Sequence, residues 1–347
     1  PPQPFMANRF ATIGISALSQ HDVLTIGNAI VDIIARTEDD FLVANGIIKG
    51  AMNLIDGERA ELLYSRMGPA VEASGGSAGN TAAGVASLGG NAAYFGKVSN
   101  DHLGAIYTHD IRAQGVAFDT SPLEGLPPTA RSMIFVTPDG ERSMNTYLGA
   151  CVELKPEDIE QDKVAGSKIT YFEGYLWDPP LAKDAIRLAS KIAHANGRKM
   201  AMTLSDSFCV DRYRTEFLEL MRAKSVDIVF ANEHELKALY QTSDFGTALD
   251  LLRGDCELAA VTLSEKGSVI ISGSQTAQID PVPVDRVVDT TGAGDLYASG
   301  VLFGLTQGLP FQTCGRLGSM AASLCISQIG PRPQESLKEA ARQMGLI

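Results

Sequence analysis

Short apolar runs separated by stretches of helical spacing recur along most of this chain. Residues 22–34 (DVLTIGNAIVDII) are rich in β-branched and aliphatic side chains and read as a strand-forming opening. Residues 92–99 (AAYFGKVS) read as a strand, followed by a helical stretch over 101–114. KITYFEG, KMAMTLSD, VDIVFAN and LAAVTLS read as further strands, and helices over 79–88, 182–195, 214–222, 233–240 and 246–252 separate most of them. Continuous apolar strands alternating with helices predict an α/β fold: a large, doubly wound, mostly parallel sheet with helices on both faces. The rhythm breaks twice, over 37–54 and 125–150. In the second region two strand-like runs flank the turn signal Pro138-Asp139-Gly140, and neither region has an obvious helix. They predict a small β-sheet lid, so the expected division is 20–36, 55–124 and 151–347 for the large domain and 37–54 with 125–150 for the lid. Residues 1–5 (PPQPF) show no signal-peptide pattern and read as a leader or an expression remnant.

Composition narrows the function classes. Of 347 residues, 45% are hydrophobic and 20% charged, which suits a sizeable folded core. The formal charge is -12, so nucleic acid and anionic membrane are poor partners. No apolar stretch is long enough to suggest a membrane span. The five cysteines are widely spaced with no C-x-x-C, which predicts free thiols and a reducing, cytoplasmic setting. The histidines show no metal-ligand spacing.

Candidate chemistry concentrates in a few places. In DTTGAGD (289–295) a strand-like run passes into a glycine turn and then a helix. Gly292 and Gly294 let the backbone approach a ligand, and with Ala293 they offer amides to an anion at a helix start. Asp295 would repel a phosphate, and its position makes sense as the base that takes a proton from an attacking hydroxyl. Taken alone, the same letters also describe a glycine turn with a first-turn acid. No Walker A pattern and no G-x-G-x-x-G occur, which disfavours those phosphate and dinucleotide sites. Gly75 and Gly76 open a helix with Asn80 in its first turn, a set suited either to ligand hydroxyls or to close packing. Asp32 interrupts an apolar run and needs donors, such as two sugar hydroxyls, a backbone cap or an ion pair. Asn232 and Glu235 form an N-x-x-E capping box, a pattern that also suits a metal held through water. Arg142 lies just past the lid turn, where it is either a solvated charge or a phosphate counter-charge.

The glycine pair near the first third and DTTGAGDLYASG together resemble the two signatures of the ribokinase/PfkB family of carbohydrate and nucleoside kinases, and the similarity spans nearly all the chain after residue 20. The resemblance implies a ribokinase-like fold and transfer of the γ-phosphate of ATP, with Mg²⁺, to a hydroxymethyl group. It implies Asp295 as general base, Gly292, Ala293 and Gly294 as the anion hole, and Arg142 closing from the lid. It implies Asp32, Gly75, Gly76 and Asn80 as sugar binders, Asn232, Ser264 and Gly267 beside the nucleotide, Glu235 near Mg²⁺, and Asp289 near a monovalent cation (K⁺) in some members. GNAIVDI, FEGYL and NEHEL are most like the adenosine-kinase-like branch, which implies a nucleoside acceptor, with ribose or fructose as the alternative. A base would then need a platform, for which Phe135, Tyr171, Tyr175 and Leu176 are candidates, though aromatic residues beside a sheet are often plain core. A lid edge could pair with a second lid, so both monomer and lid-paired homodimer stay open.

Overall fold

The computed structural model describes residues 20–347; the expected leader at 1–5 lies outside them. In chain order the elements are β1 (His21–Ile26), β2 (Ile30–Arg36), α1 (Asp39–Ala44), β3 (Met52–Leu54), α2 (Gly57–Arg66), β4 (Ala70–Ser74), α3 (Ser77–Ser87), β5 (Ala92–Phe95), α4 (His102–Ala113), β6 (Val116–Ala117), β7 (Ala130–Val136) and β8 (Arg142–Tyr147). There follow α5 (Gln161–Ala165), β9 (Ser167–Glu173), α6 (Pro180–Ala195), β10 (Lys199–Thr203), α7 (Ser207–Arg222), β11 (Ile228–Asn232), α8 (Glu233–Tyr240), α9 (Phe245–Asp255), β12 (Leu258–Thr262), β13 (Ser268–Ser272), β14 (Gln275–Ile279), α10 (Ala293–Thr306), α11 (Phe311–Ile326) and α12 (Leu337–Gln343).

The larger sheet has nine strands in the order β14-β13-β12-β11-β10-β9-β1-β5-β6. From β12 to β6 neighbours are parallel; β13 and β14 close the other edge antiparallel. Its strands are apolar on both sides, as helices on both faces require. Leu24, Met202 and Val229 point to the core under α6–α9, and Val23, Ala201 and Ile228 to the core under α3, α4, α10 and α11. Chain order reverses between β1 and β9. The carboxyl ends of those two strands are where an α/β sheet leaves a crevice for a ligand.

The smaller sheet is five-stranded, in the order β3-β8-β7-β2-β4. It is wider than the expected lid, because β2 and β4 come from stretches assigned to the large domain. The opening apolar run is two strands in different sheets, broken at Gly27–Ala29. The two insertions also hold a helix, α1, where none was expected, and only β3 of 37–54 enters the sheet. Helix α2 covers one lid face, where Ala60 and Leu63 pack on Ile33, Met133 and Phe135. The other face looks toward the large domain.

Helix α10 is apolar around almost its whole circumference and is buried from Leu296 to Thr306, as expected of a helix enclosed on all sides. It lies between the sheet, α3 and α11. Gly300 sets the approach to α11, since a Cβ there would collide with backbone of Leu317 and Gly318. Gly300→Val should therefore cost about 1–3 kcal/mol or more by overpacking. Gly254→Ala, on an exposed helix turn where a Cβ meets nothing within 4 Å, should instead stabilise by about 0.5–1 kcal/mol. Urea denaturation of both variants checks the pair, and equal effects would contradict this packing.

Candidate active site

A cleft of about 340 Å³ lies between the cleft-facing side of the small sheet and the carboxyl ends of β1, β9, β10 and β11. Asp295 reaches it from the first turn of α10. Its Oδ1 accepts a hydrogen bond from Ser77 Oγ at 2.6 Å and its Oδ2 one from Asn80 Nδ2 at 3.0 Å. Ser77 and Asn80 both sit in the first turn of α3, and Thr81 Oγ1 donates to the Asp295 carbonyl at 3.2 Å. Burial raises the Asp295 carboxyl to about 6, against the opposing pull of those two donors and of Arg332. Gly292 caps the helix with φ +80° and has no side chain to cap with, which leaves the Gly294 amide for the cleft, whereas the expected third amide, that of Ala293, donates to the Thr290 carbonyl at 3.3 Å within the turn. A Cβ on Gly292 would strike Pro331, whereas one on Gly294 would meet no protein atom within 4 Å. Gly292 is thus fixed by backbone and packing, while a methyl on Gly294 would enter open space.

Asp32 faces the cleft from β2. Burial raises it to about 7, with Arg332 and Arg142 opposing and Asp289 and Asp295 adding to the rise. Among the described residues no hydrogen bond to its carboxylate is present, so it is free to meet ligand hydroxyls. Gly75 is needed because a Cβ there would overlap that carboxylate, and Gly76 because its φ is +82°. Glu173, at the end of β9, accepts from the amides of Asn28 (2.9 Å) and Ala78 (2.7 Å), tying β1 to the start of α3. Burial nevertheless raises it to about 8.

Asn232 and Glu235 hold one another: Asn232 Oδ1 accepts from the Glu235 amide at 2.8 Å, and Glu235 accepts from the Asn232 amide at 2.8 Å and from its Nδ2 at 3.0 Å. Both line the cleft, so the capping box and a place near a ligand coexist. Among the described residues no group of three or more His, Cys, Asp or Glu could hold a metal. A divalent ion here would complete its shell with water and phosphate oxygens, as Mg²⁺ commonly does.

The chain matches the family profile of pfkB family carbohydrate kinases over residues 20–337. It belongs to the PfkB family. A probable sugar kinase from Rhizobium etli is 67% identical in its crystal structure, with TM-score 0.93 over 95% of this chain and 100% of that one. The structure of adenosine kinase from Sinorhizobium meliloti is 72% identical, with TM-score 0.91 over 94% and 99%. Adenosine kinase of Saccharomyces cerevisiae is 25% identical over 91% of this chain and 98% of its own. As a PfkB kinase the chain is a phosphotransferase with an alcohol acceptor, and its fold is ribokinase-like. No helix among the described residues is long and apolar enough to cross a membrane, and all five cysteines are free thiols.

Several expected residues of this PfkB kinase lie elsewhere than the sequence suggested. Phe135 turns away from the cleft into the core under α2, its ring 5.0 Å from Phe41. Tyr171 packs on Phe230 and Leu176 lies in the large core. Of the platform candidates only Tyr175 reaches the cleft, with its hydroxyl donating to Asp206 at 2.9 Å. Asp289 is buried, and its carboxylate accepts from Arg142 and from the amides of Thr291 (2.9 Å) and Gly330 (2.9 Å). Arg142 thus bridges the lid to the DTTGAGD loop, and its buried Nε and Nη1 have no hydrogen-bond partner. Ser264 and Gly267 form the turn after β12, outside the cleft lining but beside the end of β11. Reading the sequence missed Ser77, Glu173 and Arg332. A carboxylate ending an apolar strand was a signal for Glu173; for Arg332 there was only a charged residue between two prolines.

Asp32, Glu173, Glu235 (about 7) and Asp295 are all raised by burial. The folded protein therefore holds more protons than the unfolded chain between about pH 4 and 8. Their contribution to stability is full below about pH 4 and is lost progressively as pH rises from there through the folded values of about 6 to 8. Urea unfolding of the ligand-free protein should give a lower midpoint at pH 8.5 than at pH 5.5, and Asp32→Asn should flatten that slope. A midpoint that rises over the same range would show these carboxyls are not held as described.

Proposed function

We propose that this PfkB kinase transfers the γ-phosphoryl group of ATP, with Mg²⁺, to the 5′-hydroxymethyl group of a nucleoside, adenosine fitting best. The observation that carries the chemistry is the Asp295 carboxylate held by Ser77 and Asn80 at the mouth of an open helix start. Each carboxylate oxygen accepts one bond from the protein and retains a lone pair toward the cleft. The acceptor O–H gives its proton to that carboxylate as its oxygen attacks phosphorus, and the amides of Gly292 and Gly294 meet the charge on the moving phosphoryl group. Holding near 6, Asp295 is mostly ionised at neutral pH yet basic enough to take the proton. Arg142, with two unpartnered donors, is suited to receive a phosphate oxygen. Glu235 would hold Mg²⁺ through water, and the ion would supply charge neutralisation across the phosphates.

The nature of the cleft supports a neutral acceptor with an apolar part. Asp32, Asn28 and Gly76 offer hydroxyl partners on one side. Across from them the lid presents Met52, Leu54, Met144 and Leu148. A free sugar has no surface to bury against four such side chains, whereas a nucleobase does. Asp295 lines the cleft largely ionised at neutral pH, so an acceptor bearing a phosphate or carboxylate beside it would meet like charge. The 72% identity to the Sinorhizobium enzyme favours adenosine among nucleosides.

Asp295→Asn should lower kcat by roughly 10²–10⁴-fold, with nucleoside binding by calorimetry little changed. Coupled assays of the unaltered protein with ATP-Mg²⁺ against nucleosides, ribose and fructose test the acceptor. Turnover of ribose or fructose with none of any nucleoside would sink the nucleoside reading, and near-normal kcat in Asp295→Asn would sink the base.

A further inference from the structure

Arg332 lies in the segment after α11, more than 250 residues in sequence from the glycine pair it touches. It is a buried cation, 7% exposed, and every arm of its guanidinium is engaged. Nε donates to Asn80 Oδ1 at 3.2 Å, Nη2 to the Gly75 carbonyl at 2.9 Å, and Nη1 to Gln114 Oε1 at 3.0 Å. The group also lies over the Tyr107 ring, 5.5 Å from its centroid. Its partner Asn80 is the residue whose other amide atom, Nδ2, donates to Asp295.

An Asn amide between two polar groups can face either way. Here one neighbour can only donate and the other, when ionised, can only accept. A flipped amide would set NH₂ against guanidinium and oxygen against carboxylate. The orientation that aims Asp295 is therefore dictated from the far side by Arg332. The Gly75 bond fixes the glycine pair in the same stroke, and with it the start of α3 that carries Ser77. We propose that Arg332 is a positioning residue for phosphoryl transfer, acting through Asn80 and the glycine pair to hold the Asp295 carboxylate in its accepting geometry. This rests on Asp295 being the base. The charge of Arg332, after the hydrogen bonds of Ser77 and Asn80, also opposes the rise that burial gives that carboxyl.

The titratable groups around Asp295 are Asp32 on β2, Tyr171 and Glu173 on β9, Glu235 on α8, Asp289 in the loop before α10 and Cys325 on α11. All remain in the variants, so a change between variants reports Arg332. In Arg332→Met both charge and fork are lost: the acidic limb of the kcat–pH profile should move up, and kcat at pH 7 should fall roughly tenfold or more. In Arg332→Lys the charge stays and the fork goes: kcat should fall while the limb stays nearly in place. Joining Arg332→Lys to Asn80→Ala should then lower kcat by clearly less than the product of the two single losses, since the route through Asn80 is already gone and only the Gly75 bond remains to be lost. Losses that multiply in the double variant, or a uniform loss in Arg332→Met with an unmoved limb, would reduce Arg332 to a packing residue and overturn the proposal. Should Arg332→Met not fold, the Lys variant and the double variant still decide. If Asp295→Asn keeps its rate, the base reading itself has failed; if it loses rate while both Arg332 tests are negative, only this inference has.

Discussion

A helix that must bury its whole circumference has only its ends left for chemistry. Helix α10 is enclosed by the sheet, α3 and α11, and its amino end opens at the cleft. Its first amides have no carbonyl partner within the helix; Ala293 finds one in the preceding turn, at Thr290, and the Gly294 amide is left for solvent or a ligand. The glycines of GAG keep that end clear of side chains, and the left-handed Gly292 admits Pro331. Asp295 is the first side chain to leave the helix, and α3, packed alongside, supplies Ser77 and Asn80 to hold it. The site follows from the demand that α10 be deep and its start be open.

A second constraint is charge. Several carboxylates share one poorly hydrated cleft, and burial drives each toward its neutral form. Two arginines oppose this from different sides, both at Asp32 and Arg332 alone at Asp295. Arg332 works from beneath the glycine pair, and Arg142 works from the lid through Asp289. The difference between them is satisfaction: Arg332 has a partner for every arm, while Arg142 keeps two donors without one. A fully bonded cation is suited to holding geometry, and a half-bonded one to receiving an anion that arrives later.

Much of this was legible in the chain. Strands apolar on both faces could only belong to a covered parallel sheet, so the large domain followed. DTTGAGD alone could be a plain glycine turn with a first-turn acid, and only its pairing with the Gly75–Gly76 stretch upstream singled it out. The lid was half legible: residues 30–35 are equally apolar in a strand buried on two faces or on one, so β2 was assigned to the wrong sheet. Arg332 was not legible, since a guanidinium serving Asn80 across 252 positions leaves no local pattern.

Phe135 is the instructive error, because strand parity already excluded it. Side chains alternate between faces along a strand. On β7 Ser132 faces the cleft, and Met133 and Phe135 face α2. On β8 Met144 and Thr146 face the cleft, and Arg142 shares their parity; on β2 Ile30 and Asp32 do. The register of β2, β7 and β8 then brings these alternate residues into one surface. An acceptor's hydroxyls and its apolar portion would meet that single surface, with Asp32 at one end and the methionines at the other. The unbranched, polarizable thioethers of Met52 and Met144 adapt to a flat ring without demanding one geometry, so the lid can be selective for an apolar partner without an aromatic platform.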